Sequence, residues 1–442
     1  METPKQDTIV IPPMTPNEQM MAFAFMADIL GAKKITSQSE GEKKAREHFE
    51  TAFKNTVIST ALNGQWTVLH DPWLTMVGDV ERNLTALFLS PDKETLVVAV
   101  AGTNFISTYD WFNEDLLTTK LVPWNSLLIS DGVSATDTED LPAPAFISTG
   151  SSLALKHTWN QTSSVDGTTV PIYLKTYLEA NTNVKNLIVT GHSLGGAISP
   201  VFATALADWG NLRSSVNIES YIFAGPTPGD ATFVSHVEKT LGGVHSTYNL
   251  RDVVPHAWQL DMMGDKILDI FKNSKMSLPY ADNSIIANMV AAFTAQSQTA
   301  LNDGYAYKRW TVEKTFTGDY QDISTKLADD FADDIRLLMA DNEQVRGNVY
   351  YIVFNKELPS GTTGVYPLVE AQVKYFAQAL LVLKNQHIPA YGDDLLTYPK
   401  FREELKKADK IEGNIPFAAK HGNAVLISLF ALVANYMRKK NS

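Results

Sequence analysis

The stretch KNLIVTGHSLGGA, residues 185–197, is the most informative part of this sequence. Its apolar residues 187–189 favour a short buried strand, and the run that follows to residue 208 is compatible with a helix. Between them, Gly191 and Gly195 leave room for a tight turn that holds the hydroxyl of Ser193 clear of the backbone. The pattern predicts a nucleophile elbow, with His192 inside the turn and its side chain directed away from the serine.

Predicted strands and helices alternate on both sides of this turn. Apolar runs bounded by turn-forming residues favour strands at residues 66–70, 85–90, 95–101, 219–224 and 245–250. Helical patterns cover residues 41–62 and 230–241, and another helix is predicted to begin at Thr15-Pro16. This alternation is typical of an α/β fold with a mostly parallel central sheet flanked by helices.

The chain has 442 residues, of which 44% are hydrophobic and 19% are charged, so it can form one large α/β domain with additions. We predict a helical N-terminal segment packed on the core, an α/β domain and a C-terminal helical appendage, over residues 1–62, 63–396 and 397–442. Two stretches do not fit the compact alternation and are predicted to be insertions, at about residues 104–150 and 258–346. The second is expected to be helical.

Composition excludes several classes of partner and site. The formal net charge of −12 argues against nucleic acid as a partner, because phosphate backbones are bound by clustered basic residues. The absence of cysteine excludes disulfides, thiolate metal sites and a cysteine nucleophile. No apolar run is long enough to predict a transmembrane segment, and the first residues lack the apolar core of a signal peptide. Compartment is therefore not predicted: a cytoplasmic protein and one exported without a visible leader both fit.

A serine hydroxyl becomes a nucleophile at neutral pH only when an imidazole removes its proton, and a carboxylate fixes the tautomer of that imidazole. In α/β-hydrolase-like folds the acid and then the histidine follow the serine, each after a strand. Asp252 comes directly after the predicted strand 245–250, in a loop fixed by Pro255. We therefore predict Asp252 as the acid, although a surface carboxylate is the more ordinary interpretation of a lone Asp in such a loop.

Three histidines follow Asp252 in the chain. His256 is only four residues away, too close to receive the carboxylate comfortably while also reaching the serine. His387 follows an amphipathic helical pattern over residues 368–384, which places it in a loop or at a helix edge. His421 is predicted to be a helix-terminal residue.

Catalysis of acyl transfer also requires donors aimed at the developing oxyanion, each worth about 3 kcal/mol. The backbone amide of Leu194 follows the nucleophile at the start of the predicted helix and is one such donor. The second is expected after an adjacent strand, where Thr103 ends the segment 97–103 and offers both an amide and a hydroxyl.

Taken together, these segments resemble the class 3 lipases. The resemblance comprises the strand that ends in Gly102-Thr103, the elbow, the segment FAGP at residues 223–226 and the segment DVVP at residues 252–255. His387, followed by Tyr391, is similar to the histidine segment of that family. Because the motifs occur in the family's order, their combination is far more specific than any one of them.

The resemblance implies an α/β-hydrolase fold with a Ser193–Asp252–His387 triad and an oxyanion hole formed by Thr103 and Leu194. It implies acyl esters or lipids as substrates, transient contact with a lipid interface, and a mobile lid in the first insertion. No cofactor is implied. Nothing in the residues requires a metal, and the acidic run 329–334 is predicted to be a solvated helix face.

Two functions are therefore considered. The first is a carboxylic ester hydrolase, most similar to a triacylglycerol lipase, that works through an acyl-enzyme. The second is a catalytically idle fold of the same kind, whose long insertions would form a surface for a partner. Loss of a triad or oxyanion residue would favour the second function, and none is lost in the sequence.

Overall fold

A computed structural model describes residues 12–30, 35–77, 80–102, 118–124, 144–276, 284–341, 350, 370–394 and 399–408. In these ranges the chain forms a mixed sheet of eight strands with helices packed on both faces. This architecture is the α/β class predicted from the sequence. Most of the predicted lid and most of the C-terminal appendage lie outside the described residues.

The strands are β1 (Thr67–Val68), β2 (Trp73–Val77), β3 (Val80–Leu89), β4 (Thr95–Val100), β5 (Leu121–Pro123), β6 (Phe146–Ser148), β7 (Asn186–His192), β8 (Asn217–Phe223), β9 (Gly243–Asn249) and β10 (Glu313–Phe316). The helices are α1 (Pro16–Ala27), α2 (Gln38–Lys54), α3 (Thr56–Ala61), α4 (Thr149–Asn160), α5 (Val170–Ala180), α6 (Leu194–Asp208), α7 (Ala231–Thr240), α8 (Asp265–Lys272), α9 (Ser284–Asn302), α10 (Thr325–Asp341), α11 (Glu370–His387), α12 (Pro389–Asp394) and α13 (Pro399–Ala408). Short 3-10 helices cover Asp28–Leu30, Val254–His256 and Leu260–Met262.

The main sheet has the order β1-β3-β4-β7-β8-β9-β10, and β2 pairs with the free part of β3. Strands β4, β7, β8, β9 and β10 run parallel, whereas β1, β2 and β4 pair antiparallel with β3. The tight turn at residues 91–94 forces β3 and β4 to run antiparallel. Because β4, β7 and β9 are parallel, their carboxyl ends meet at one side of the sheet, where Ser193 and Asp252 follow β7 and β9.

Both faces of the sheet are buried, as expected when helices cover a parallel sheet. Alternate residues of β4 show the two sides: Leu96 and Val98 pack with the α4, α5 and α6 layer, whereas Val97 and Ala99 pack with α1, α2 and α3. Helix α6 is buried along nearly its whole length. For this reason its sequence is apolar all round instead of amphipathic.

Helix α1 covers the centre of the sheet, against β4, β7 and β8. Its start was predicted correctly, because Thr15 and Glu18 form a capping box and Pro16 stands in the first turn. The hydroxyl of Thr190 on β7 donates to the carbonyl of Met20 at 3.2 Å, which ties the helix to the elbow strand. The N-terminal segment therefore reaches the centre of the fold.

Three features differ from the sequence predictions. The predicted helix 41–62 is two helices, α2 and α3, because Asn55 interrupts the run and caps α3 through its side-chain oxygen. Strands β2, β5 and β6 and helices α4 and α5 were not predicted. The predicted helical insertion 258–346 contains α8, α9 and α10, but it also contributes β10 to the main sheet, parallel to β9. No helix within the described ranges is long and apolar enough to cross a membrane.

Candidate active site

Ser193 lies at the junction of β7 and α6, where the chain turns sharply. Its backbone has φ 58° and ψ −124°, a conformation that residues with a side chain rarely adopt. The Ser193 amide donates to the carbonyl of Phe223 on the neighbouring strand β8 at 3.0 Å, which holds the turn in place. The serine side chain is consequently presented at the carboxyl edge of the sheet.

The two glycines of the elbow are required by contact between backbone segments. A Cβ placed on Gly195 would lie 2.3 Å from the carbonyl oxygen of Val100, and one on Gly191 would lie 2.3 Å from the backbone of Gly195. Such approaches are far inside van der Waals contact, so a side chain at either position would push α6 away from the sheet. The spacing seen in the sequence follows from this packing.

His387 is the last residue of α11 and lies between Ser193 and Asp252. Its Nε2 is 2.7 Å from Ser193 Oγ, and its Nδ1 is 2.8 Å from Asp252 Oδ2. An ionised carboxylate only accepts hydrogen bonds, so Nδ1 carries the proton and Nε2 is left to accept the serine hydroxyl. The structure thus brings together the three residues that the sequence predicted as a triad, in the geometry that proton transfer from serine requires.

Asp252 is buried, and every contact of its carboxylate comes from a donor. Oδ1 accepts the Val254 amide at 3.0 Å, and Oδ2 accepts the Tyr391 hydroxyl at 2.9 Å in addition to His387. Burial and the negative charge of Asp252 raise the pKa of Tyr391 well above its ordinary value, so its hydroxyl remains a donor. A buried charge without such partners would be strongly unfavourable.

A second group of hydrogen bonds ties the end of β9 to the end of α11. The Asn249 amide donates to Tyr391 Oη at 3.0 Å, and Asn249 Nδ2 donates to Gln386, both to its carbonyl at 3.0 Å and to its side-chain oxygen at 2.8 Å. These contacts fix the imidazole of His387 relative to Asp252. No role was predicted for Asn249 or Gln386, because nothing local in the sequence marks their contact.

Replacing Tyr391 by phenylalanine should weaken both the site and the fold. The ring fits, but the Asn249 amide loses its acceptor and Asp252 loses a donor. We expect the free energy of unfolding to fall by about 1–3 kcal/mol and kcat for ester hydrolysis by about tenfold. Urea unfolding and initial rates on p-nitrophenyl butyrate measure the two effects. Tyr173→Phe is the matched control, since its hydroxyl donates to the carbonyl of Leu69, away from the site; equal behaviour of both variants would contradict the prediction.

His192 contacts the histidine of the site directly. Its ring lies 4.8 Å from that of His387, and its Nε2 donates to the His387 carbonyl at 2.8 Å. Burial, with repulsion from His387, lowers the pKa of His192 well below its ordinary value. His192 is therefore a neutral donor that holds the last residue of α11, a role the sequence did not indicate.

The other histidines are engaged elsewhere. His256 is buried with Nδ1 2.6 Å from the backbone carbonyl of Asp252, so it contacts the main chain of the acid instead of its carboxylate. His236 and His245, which lie between Ser193 and Asp252 in the chain, are paired with Asp208 and Glu219. His421 lies outside the described residues.

The predicted oxyanion donors are only partly within the described ranges. Leu194 is the first residue of α6, where amides have no intrahelical acceptor, and it follows Ser193 directly. Thr103 lies outside the described residues, as do most residues of the predicted lid 104–150. The oxyanion hole and the lid therefore remain predictions.

The acidic run 329–334 lies on α10 and is engaged in ion pairs. Asp330 pairs with Lys326 on the same helix at 2.7 Å, and Asp329 pairs with Lys374 of α11 at 2.9 Å. Among the described residues, no group of three or more His, Asp or Glu side chains is arranged to bind a metal ion. The run therefore forms a charged helix face that contacts α11.

The segment that carries both the elbow and Asp252 also matches the model of a known family. It matches the family described as Lipase (class 3). Residues 148–262 resemble the class 3 lipases. The resemblance predicted from the sequence is thus confirmed for this segment, which contains two of the three residues in hydrogen-bond contact.

Two curated lipases and one solved structure show what the chain is similar to. Lipases from Rhizopus niveus and Rhizopus oryzae are each 39% identical to this chain over 70 residues, which is 16% of this chain and 18% of each relative. The chain thus matches less than a fifth of the length of these curated relatives. The crystal structure of M37 lipase aligns over 92% of this chain and 98% of that chain, with a TM-score of 0.60 and 18% sequence identity. This likeness confirms the predicted α/β-hydrolase fold.

Proposed function

We propose that this protein is a carboxylic ester hydrolase that forms an acyl-enzyme on Ser193. The observation that carries the proposal is the continuous hydrogen-bonded chain from Asp252 through His387 to Ser193. Two further observations support it. Ser193 is held in a strained turn at the carboxyl end of β7, and it is partly exposed, so a substrate can reach it.

The proposed reaction proceeds in two steps. His387 Nε2 takes the proton of Ser193 as Oγ bonds to the ester carbonyl carbon, and the same proton then passes to the departing alcohol oxygen. The second step is the reverse sequence with water, which gives up a proton to His387 and releases the carboxylic acid. The carboxylate of Asp252 stabilises the imidazolium in both steps, and the predicted donors Leu194 and Thr103 stabilise the oxyanion.

The proposed substrates are acyl esters of the acylglycerol type. The class 3 lipase match and the Rhizopus relatives, which are described as lipases, support this class. We propose in addition that the protein contacts a lipid interface transiently, as expected for an enzyme whose substrates are poorly soluble in water.

Hydrolysis of p-nitrophenyl butyrate and p-nitrophenyl palmitate, with and without an emulsified lipid interface, tests the proposal. We expect a burst of p-nitrophenolate equal to the enzyme concentration when deacylation is slower than acylation. Diethyl p-nitrophenyl phosphate should add one diethyl phosphoryl group to Ser193, located by peptide mass spectrometry. If neither ester is cleaved under any of these conditions, the idle binding fold becomes the better interpretation.

A further inference from the structure

Asp28 directs a carboxylate at the end of strand β4. It caps the C-terminus of α1 and begins the 3-10 helix Asp28–Leu30. Its Oδ1 accepts the amide of Gly102 at 2.6 Å. Gly102 is the residue directly before Thr103, the predicted oxyanion donor. A side chain at the end of the N-terminal helix α1 therefore holds the end of β4 at the residue before the predicted donor.

This contact is immediately beside the nucleophile. A Cβ built on Gly102 would lie 3.4 Å from Asp28 Oδ1 and 3.4 Å from Ser193 Cβ. The carboxylate and the serine thus border the same small space, and their separation cannot exceed twice that distance. The same Cβ would lie 2.8 Å from the carbonyl oxygen of His192, so the position admits only glycine.

A carboxylate is electrostatically unfavourable at this position. The C-terminus of a helix carries partial negative charge, which repels an acidic side chain. Burial raises the pKa of Asp28 to about 7, while the Gly102 amide and the nearby His387 act in the opposite direction. The hydrogen bond with Gly102 compensates for this unfavourable position. The Ala101 amide makes the last ladder bond of β4, to the carbonyl of Leu84 at 2.9 Å, and the buried amide of Gly102, the next residue, donates to Asp28.

We propose that Asp28 is a positioning residue for the oxyanion end of β4, acting through the amide of Gly102. This inference rests on the proposed ester hydrolysis. As a consequence, α1 takes part in forming the active site. The helix is tied to the elbow strand β7 through Thr190, and Asp28 at its end holds the end of β4 beside Ser193.

Asp28→Ala and Asp28→Asn separate positioning from charge. Alanine removes the acceptor, whereas asparagine keeps an oxygen that can accept the Gly102 amide. We expect kcat of Asp28→Ala on p-nitrophenyl butyrate to fall by about tenfold to a hundredfold with little change in KM, since small misplacements at a reacting centre have effects of this size. Asp28→Asn should recover most of that loss.

Inhibition by phenylboronic acid provides a readout that a purely structural role would not change. Its adduct with Ser193 is a negatively charged tetrahedral boronate that resembles the tetrahedral intermediate of the reaction. Its inhibition constant should therefore rise in Asp28→Ala by the same factor as kcat/KM falls. Glu42→Ala is the matched control, because Glu42 is also a carboxylate of the N-terminal helices that accepts a backbone amide, that of Ser164, away from the site.

The outcomes are distinct. Unchanged kcat and boronate affinity in Asp28→Ala, in a wild type that hydrolyses the ester, would overturn this inference and leave the proposed function standing. Equal losses in Asp28→Ala and Glu42→Ala that follow their melting temperatures would also overturn it, because they would reflect stability alone. A wild type that cleaves no ester would overturn the proposed function and, with it, the role of Asp28.

Discussion

Replacing Ser193 by alanine should reduce kcat for ester hydrolysis by about five to six orders of magnitude, the effect of removing the nucleophile from a serine triad. The variant keeps the turn, because Ser193 contributes its backbone and not its side chain to the contact with Phe223. Initial rates on p-nitrophenyl butyrate, together with the absence of a p-nitrophenolate burst, measure the loss.

Ser199→Ala is the matched control for this variant. Ser199 lies on the same helix α6, is fully buried and makes only long hydrogen bonds, to the carbonyls of Gly196 and Tyr221. It should retain activity and the burst. If Ser193→Ala still hydrolysed the ester at more than about a hundredth of the wild-type rate, the acyl-enzyme at Ser193 would be excluded, because residual activity of serine triads is far lower.

Replacing Asp252 by asparagine should lower kcat by about four orders of magnitude. An amide group can donate to Nδ1, and it then favours the tautomer whose Nε2 carries a proton and cannot accept that of Ser193. The charge that stabilises the imidazolium is lost as well. Pre-steady-state acylation with p-nitrophenyl butyrate should show that the slow step is attack by Ser193, with substrate binding little affected.

Asp230→Asn controls for the loss of a partly buried carboxylate that accepts backbone amides. Asp230 caps α7 by accepting the Phe233 amide at 2.8 Å and also accepts that of Phe146 at 3.2 Å, but it does not contact the triad. Asparagine is a good helix cap, so this variant should fold and retain activity. Similar rates for Asp252→Asn and Asp230→Asn would argue that the carboxylate of Asp252 has no part in the reaction.

The central part of the fold could be predicted because its signals are local. The elbow requires glycine within a few residues of the serine, and the turn at residues 91–94 follows from its own residues. Helix α1 likewise begins where a capping box and a proline coincide. In each case the preference acts over one turn of chain, and the structure agrees with it.

Strand β10 shows where local signals fail. Its sequence, EKTF, is short and half charged, and in isolation it favours no strand. It becomes one because its backbone pairs with β9, from Ser246 to Asn249. Pairing of this kind depends on a sheet that must already be in place, so the surrounding helical patterns dominated the prediction.

The class of fold, the elbow with its candidate nucleophile and the candidate acid that follows a strand could all be predicted from the sequence, since each depends on residues close together in the chain. His387 was named only through the family resemblance, and the tertiary structure brings it to Asp252 across 135 residues of chain, with hydrogen bonds from Asn249 at the end of β9 to Gln386 at the end of α11. The tertiary structure also revealed Asn249, His192 and Asp28 as partners of the site. Hydrogen bonds between distant segments arise from the assembled sheet and helices, and no local preference of the chain specifies them.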